Sequence, residues 1–393
     1  MLIQVFNAGS SSIKFALYQH QTKLELLKGN LEKIGEASPI LSYQTSSSPS
    51  QKIELPDGCQ NHKEGIQKIL DIFDQEKNYP GSADLIVHRV VHGGTKYRHA
   101  SLLDLEVKQF IRDMIPLART HHPASLACIE EISEHFPEIP QAVVFDTSFH
   151  QTLPEYAWRY ALPRKISDQY AIRRYGFHGI SHQSVVKQAA SFLKTPVNKL
   201  NLITIHLGNG ASISAIKKGI CVDTTMGMTP LEGLVMGTRP GDLDPGILTL
   251  LARKGWNQET LETMLNQDSG MKGLCGTNDF REILQNKEEG NEEAEMALEL
   301  YCYRVRKTIG SFSTVIGPVD ALVFTGGVGE NVPWVRERSV RAMEWMNIQL
   351  DPDMNDQAEA PCAIHSKNSQ TKILVLPSDE EWEMASQAAE LIL

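Results

Sequence analysis

Two stretches of the chain echo one another about 200 residues apart, and that repetition constrains the fold more than any other feature. "LIQVFNAGSSSIKFALY" opens at residue 2 and "LITIHLGNGASISAIKK" at residue 202, setting Ile3, Val5, Ser12 and Ile13 opposite Ile203, Ile205, Ser212 and Ile213. Each reads as a strand, a tight loop of small residues and a second strand. A second echo, in the same order, pairs "DLIVHRVVHGG" (84–94) with "DALVFTGGVGEN" (320–331): an aspartate, a buried strand, a glycine pair. Two echoes in one order point to duplicated halves facing one another. Helical spacing fills the intervals, with Ile66, Ile69, Leu70 and Phe73 in 62–78. Ala294, Leu298, Tyr301, Val305, Ile309, Phe312 and Ile316 do the same in 292–316. Strands mixed with helices predict an α/β class with layered sheets. The polar stretch 42–58 reads as a loop or peripheral excursion.

The length of 393 residues suits two domains. A net charge of −10 without a basic stripe argues against nucleic acid as a partner, yet a few local arginines can still gather an anionic substrate. The six cysteines, at 59, 128, 221, 275, 302 and 362, form no C-x-x-C pair and read as reduced thiols of a cytoplasmic protein. "MLIQVFNAG" lacks a basic n-region and a cleavage site, so no signal peptide is expected. No apolar run approaches ~18 residues, so no membrane span is expected.

Asn7 through Lys14 is not a Walker A loop, but its chemistry is related. Small residues let backbone N–H groups approach an anion, hydroxyls add donors, and Lys14 can add charge. "HLGNGAS" (206–212) and "FTGGVGEN" (324–331) again place glycines after buried strands, the second ahead of an expected helix. Three such loops point to a nucleotide cleft between the two halves.

Charged side chains stand nearby in sequence. Arg89 lies inside an apolar strand, where a guanidinium either faces solvent or needs a partner. Arg239 sits in the Pro- and Gly-rich loop "GTRPGDLDPG", suited to a fixed fork for carboxylate or phosphate oxygens. Asp146 ends a buried strand, where ligands of α/β sheets gather. Asp279 reads as a helix cap, and Ser378 with Glu381 as a capping box that competes with a metal role for Glu380. His178 and His182 are four apart, but the glutamate of H-E-x-x-H is absent and Gly179 weakens a helix, so no zinc site is expected. His178 can donate to a transferring group; it and His121 can equally be structural.

Taken in order, "NAGSSSIKF", "HRVVHGG", "FDTSFH", "YGFHGISH", "HLGNGAS", "TTMGMTPLEG", "TRPGDLDP", "GTNDFRE" and "FTGGVGEN" closely resemble the acetate kinase family, from residue 3 to about 385. The resemblance implies duplicated actin-like, ribonuclease H-like ATPase domains flanking a nucleotide cleft. They would span 1–149 with the terminal helix 382–393, and 150–381. It implies a homodimer and reversible transfer of the ATP γ-phosphoryl to acetate, giving acetyl phosphate and ADP. Mg²⁺ would assist, with Mn²⁺ as an alternative. Carried over by motif, Asn7 and Glu380 match metal positions, and Asp146, His178 and Arg239 catalytic ones. Arg89, Val91, Thr120, Phe177 and Pro230 match the acceptor site. The nucleotide positions are Lys14, His206, Leu207, Gly208, Asn209, Gly210, Asp279, Phe280, Arg281, Gly327, Val328, Gly329, Glu330 and Asn331. The chain departs from the family in three places. His122 replaces an asparagine in H-N-P, Thr120 replaces a leucine near the acetate methyl, and Asp379 replaces an asparagine before the glutamate pair. Thr120 leaves acyl-chain preference open between acetate and propionate or butyrate. A non-catalytic nucleotide-binding scaffold is the reading from another class.

Acetate is already ionised at neutral pH, since a carboxylic acid has a pKa of about 4. It therefore needs no general base, and Asp146 is expected to orient a metal-bound water or an arginine instead.

Overall fold

The computed structural model describes residues 1–55, 58–75, 83–119 and 121–393. Thr120 therefore lies outside the described residues. The chain divides into two compact units, Met1–Gln151 with Asp379–Leu393, and Thr152–Ser378.

The first unit carries eight strands: β1 (Leu2–Ala8), β2 (Ser12–Gln19), β3 (Leu24–Glu32), β4 (Ile40–Thr45), β5 (Ser48–Glu54), β6 (Leu85–Val90), β7 (Ser101–Leu102) and β8 (Gln141–Phe145). Their order is β5-β4-β3-β2-β1-β6-β8-β7, with β1, β6 and β8 mutually parallel. The helix His62–Gln75 buries Ile66, Ile69 and Leu70 in a core with Phe6, Ile13 and Phe15, and Phe73 packs against its rim. Helices His122–His135 and Glu380–Ala389 also pack on this sheet. Of the stretch read as a loop or peripheral excursion at 42–58, residues 42–54 form most of the β4–β5 hairpin, an edge addition to the sheet and not a loop. Its β5 is exposed at the sheet edge, where the fold tolerates Pro49 and where few apolar residues betray a strand.

The second unit carries β9 (Leu202–Leu207), β10 (Ala211–Lys217), β11 (Ile220–Thr224), β12 (Ala321–Thr325), β13 (Cys362–Ala363) and β14 (Lys372–Val375), in the order β11-β10-β9-β12-β14-β13. The helix Glu292–Ile316 is capped by Asn291, which accepts from the Ala294 N–H, and buries all seven expected apolar positions.

The repeated segments share one topology. β1–β2 and β9–β10 are antiparallel hairpins, and β6 and β12 run parallel beside β1 and β9. Asp84 and Asp320 play the same part: each accepts a 2.7 Å bond from the backbone N–H opposite, that of Leu2 and that of Asn201. This register makes Leu2 equivalent to Asn201 and Ile3 to Leu202. The pairing of Ile3 with Ile203 read from the sequence is therefore one residue out. Strands buried on both faces read as continuous apolar runs, which leave a one-residue slip undetected.

Candidate active site

In the first unit, three parallel strands bring their carboxyl ends to one edge of the sheet, where α/β sheets collect ligands. Asn7 stands near the end of β1, Arg89 near the end of β6, and Asp146 just beyond β8. The Arg89 Nε lies 3.2 Å from both Asp146 carboxylate oxygens, a second nitrogen also pairs with Asp146, and Nη1 donates to Asn7 Oδ1 at 3.0 Å. Burial works against the Arg89 charge, but Asp146 and Glu380 outweigh it and push its pKa up. Burial pushes the Asp146 carboxyl up, and Arg89 acts against that rise. Val91 is buried just after β6. Lys14 is exposed on β2, in register with Asn7.

The terminal helix begins differently from the capping box expected of Ser378 and Glu381. Its N-cap is Asp379, in the left-handed conformation (φ 36°) and without a side-chain cap bond. Glu381 instead accepts from Asn7 Nδ2 at 3.4 Å. A buried amide at the strand end competes successfully for the carboxylate, a demand invisible in the local sequence.

The second unit gathers the other candidates. His178 precedes the helix Gly179–Phe192 with φ 56° and ψ 25°, a conformation that a non-glycine residue holds only when its surroundings enforce it. Phe177 beside it is buried. The His178 ring stacks on His206 with centroids 4.3 Å apart. Arg239 donates from Nη1 to the Pro230 carbonyl at 2.7 Å, and no ion pair ties it to a carboxylate among the described residues. Burial lowers its pKa to about 10, which still leaves a cation at neutral pH. A methyl group placed on Gly210 would lie 2.9 Å from Arg239 Nη2 and 3.1 Å from His178 Nε2. The guanidinium and the imidazole thus converge on one glycine.

Gly210→Ala is accordingly expected to displace both groups by a few tenths of an ångström. Turnover should fall roughly tenfold, less than the ~100-fold of a full 1 Å misplacement. Steady-state rates beside a melting curve check this, and unchanged turnover would contradict the convergence.

The glycine loops are stitched together. The Gly208 N–H donates to the Gly210 carbonyl at 2.9 Å, and the Gly237 N–H to the Asn209 carbonyl at 2.9 Å. Asn209 Oδ1 accepts from Asn278 Nδ2 at 2.9 Å, drawing in the turn before Asp279. Asp279 caps the helix Phe280–Glu288 as expected, through the Arg281 N–H, and also pairs with the Arg281 side chain. Phe280 is buried in that helix. Leu207 is buried at the end of β9. Gly327, Val328, Gly329, Glu330 and Asn331 lie in the short helix Gly326–Asn331, directly after β12. Glu330 turns its carboxylate back onto the Gly326 N–H at 2.9 Å and the Ser378 N–H at 3.2 Å, and so braces its own loop.

Several supporting residues escaped the sequence. Arg336 is fully buried and binds the Gly329 and Glu330 carbonyls at 3.0 and 2.8 Å, holding the end of that short helix. Arg174 grips the carbonyls of Thr224, Thr225 and Met226 and pairs with Glu232. Tyr160 joins Glu232 to the Met228 N–H, so the loop bearing Pro230 is clamped on both sides. Ser212 lies between His178 and His182. "TTMGMTPLEG" marked the loop but not its clamps, and although Ser212 and His182 both stood in quoted motifs, their contact through one hydroxyl was not visible there.

The family model described as the acetokinase family matches residues 2–386. The acetate kinase of Sulfurovum sp. is 45% identical over 397 residues, covering 100% of this chain and 99% of its own length. The crystal structure of Porphyromonas gingivalis acetate kinase superposes with a TM-score of 0.91 at 38% identity, covering 100% of both chains. A propionate kinase from Francisella tularensis gives the same TM-score, 0.91, at 38% identity over 98% of each chain.

Proposed function

From the premise that this chain belongs to the acetokinase family, we propose that it transfers the ATP γ-phosphoryl reversibly to acetate, giving acetyl phosphate and ADP. Within the molecule, the observation that carries this reading is the convergence of Arg239 Nη2 and His178 Nε2 beside Gly210. A cation with no carboxylate partner among the described residues and an imidazole, aimed at one point in a glycine-lined loop, suit a phosphoryl group whose charge spreads over its equatorial oxygens.

Each residue then has a defined task. Arg239 and His178 neutralise and donate to the transferring phosphoryl. Arg89 presents charge to the acceptor carboxylate. Asp146 holds the Arg89 fork by its two carboxylate oxygens, a positioning task consistent with an acceptor that needs no deprotonation. The glycine loops at 208–210 and 326–331, with Asp279 to Arg281, receive the nucleotide. By motif, Val91, Phe177 and Thr120 are assigned to the acceptor's apolar side, Thr120 lying outside the described residues, and Lys14 to added charge for the phosphates.

Mg²⁺ fits the oxygen donors of the first unit. Glu380 is close enough to Asp146 to push the Asp146 carboxyl up further, and Asn7 adds an amide. Such a small, all-oxygen set is what a hard cation needs when phosphates complete its shell. Glu380 and Asn7 would hold it. When bound it supplies positive charge to the β- and γ-phosphates. A homodimer and a cytoplasmic site of action belong to the same proposal. No helix among the described residues is long and apolar enough to cross a membrane.

The second reading is a propionate kinase, favoured by the equal TM-score of the propionate kinase and by threonine at position 120. A hydroxamate assay with ATP and acetate, propionate or butyrate separates the two. Acetate is expected to give the highest kcat/KM, with activity abolished by EDTA and restored by Mg²⁺. A higher kcat/KM for propionate would transfer the assignment, and no acyl phosphate from any short acid would leave a nucleotide-binding scaffold.

A further inference from the structure

His178 presents Nε2 to the point where Arg239 Nη2 arrives, so its other nitrogen must be held elsewhere. That nitrogen, Nδ1, lies 2.9 Å from Ser212 Oγ on β10. The same hydroxyl lies 2.8 Å from His182 Nε2, and His182 Nδ1 lies 2.8 Å from Thr204 Oγ1 on β9. Ser212, His182 and Thr204 are all fully buried. A hydroxyl has one proton, so Ser212 can donate to only one of the two rings, and the other must donate to it. The tautomers of His178 and His182 are therefore tied together through one oxygen atom.

We propose that Ser212 is a positioning residue for His178. By donating its hydroxyl proton to Nδ1, with His182 Nε2–H donating to Ser212 Oγ in turn, it holds the neutral ring in the Nε2–H form, so that Nε2 is the nitrogen that donates to the phosphoryl group. Identity at the second ring nitrogen is commonly set in this way, by the hydrogen bond its partner makes. Two features make the device necessary here. His178 sits in a left-handed backbone conformation that local sterics oppose, and its ring is pressed against His206, whose Nδ1 is itself 2.7 Å from Ser181 Oγ. Without Ser212 the ring could turn about its side-chain bonds or take the other tautomer, and either change moves the donor away from Gly210. Ser212 stands on β10, whose hairpin with β9 brings Gly210 to the same place, so one hairpin sets both the glycine and the histidine.

The inference rests on His178 acting on the transferred group. Ser212→Ala is expected to lower kcat roughly 10- to 100-fold while KM for ATP stays within about twofold, since the nucleotide loops are untouched. Ser212→Thr, which keeps the hydroxyl, should recover most of the loss, and Ser212→Cys should fall between them. If alanine lowers the melting temperature markedly, the threonine-to-cysteine comparison carries the test at equal fold stability. In a His178→Ala background, Ser212→Ala should add almost nothing, because its effect passes through the ring. Nitrogen-15 spectra of labelled histidines should show the His178 tautomer become mixed in Ser212→Ala. Full activity in Ser212→Ala, or an undiminished penalty in the His178→Ala background, would overturn the inference and leave the phosphotransfer reading standing. Wild-type activity in His178→Ala would remove both.

Discussion

Replacing Arg239 by alanine is expected to lower acetyl phosphate formation roughly 100- to 1000-fold, the usual loss for one preorganised charged donor. The surroundings of Arg239 explain why the loss should fall on activity and not on folding. Its guanidinium is partly buried and bonds the Pro230 carbonyl, but no carboxylate among the described residues pairs with it. Truncation therefore orphans no buried acid, the event that makes removal of half an ion pair cost about 3–5 kcal/mol. Arg89 is the contrast. Its removal would strand the buried Asp146 carboxylate and confound rate with stability. Arg239→Lys should recover little, because a point charge cannot reproduce a planar fork that reaches both a carbonyl and the phosphoryl group. Initial rates for both variants, with melting temperatures alongside, are the measurement. Near-wild-type turnover in Arg239→Ala would remove its assigned role.

Acid should weaken the first unit strongly. Three of its buried histidines, His88, His92 and His122, sit in fixed neutral forms. His88 donates from Nε2 to Gln141 Oε1 at 2.8 Å, and burial lowers its pKa to about 4. His92 accepts the Gly94 N–H on Nδ1 at 3.0 Å, and burial, reinforced by His122, lowers its pKa to about 3. His122 accepts the His92 backbone N–H on Nε2 at 3.1 Å and donates from Nδ1 to the Ile111 carbonyl, and burial lowers its pKa as well. Protonating either of the last two would set one N–H against another. In the unfolded chain a histidine titrates near 6.5, so between that value and the folded pKa the unfolded state binds more protons. Stability is then complete above about pH 6.5 and falls as pH drops toward the folded values. At pH 5, His88 and His92 together account for a loss on the order of 4 kcal/mol, and His122 acts in the same direction. Denaturant titrations at pH 7.5, 6 and 5 should show the midpoint of this unit falling, and His92→Gln should flatten the slope. A midpoint unchanged between pH 7.5 and 5 would refute neutral burial of these rings.

Much of the molecule was legible before its structure. The helix at 292–316 came through residue for residue because a 25-residue amphipathic pattern outweighs local noise, and Asp279 capped its helix because capping is settled within three residues. The glycine loops were visible because a chain that must pass within 3 Å of a side chain leaves little choice of residue, as at Gly210. The β4–β5 hairpin was missed because an exposed edge strand has no buried face to impose alternation.

The sequence by itself determined the duplicated strand–loop–strand segments, the α/β class and the set of charged and glycine residues available for phosphate chemistry. Hydrophobic periodicity and glycine content are properties of neighbours along the chain, and those can be read without coordinates. Tertiary structure alone decided the one-residue register that equates Leu2 with Asn201, the diversion of Glu381 from a helix cap to Asn7, and the pairing of Arg89 with Asp146. It also decided the sharing of Ser212 between two histidines. The physical reason is common to all four. A buried polar group must find a partner wherever the fold supplies one, and that partner's distance along the chain leaves no trace in local composition.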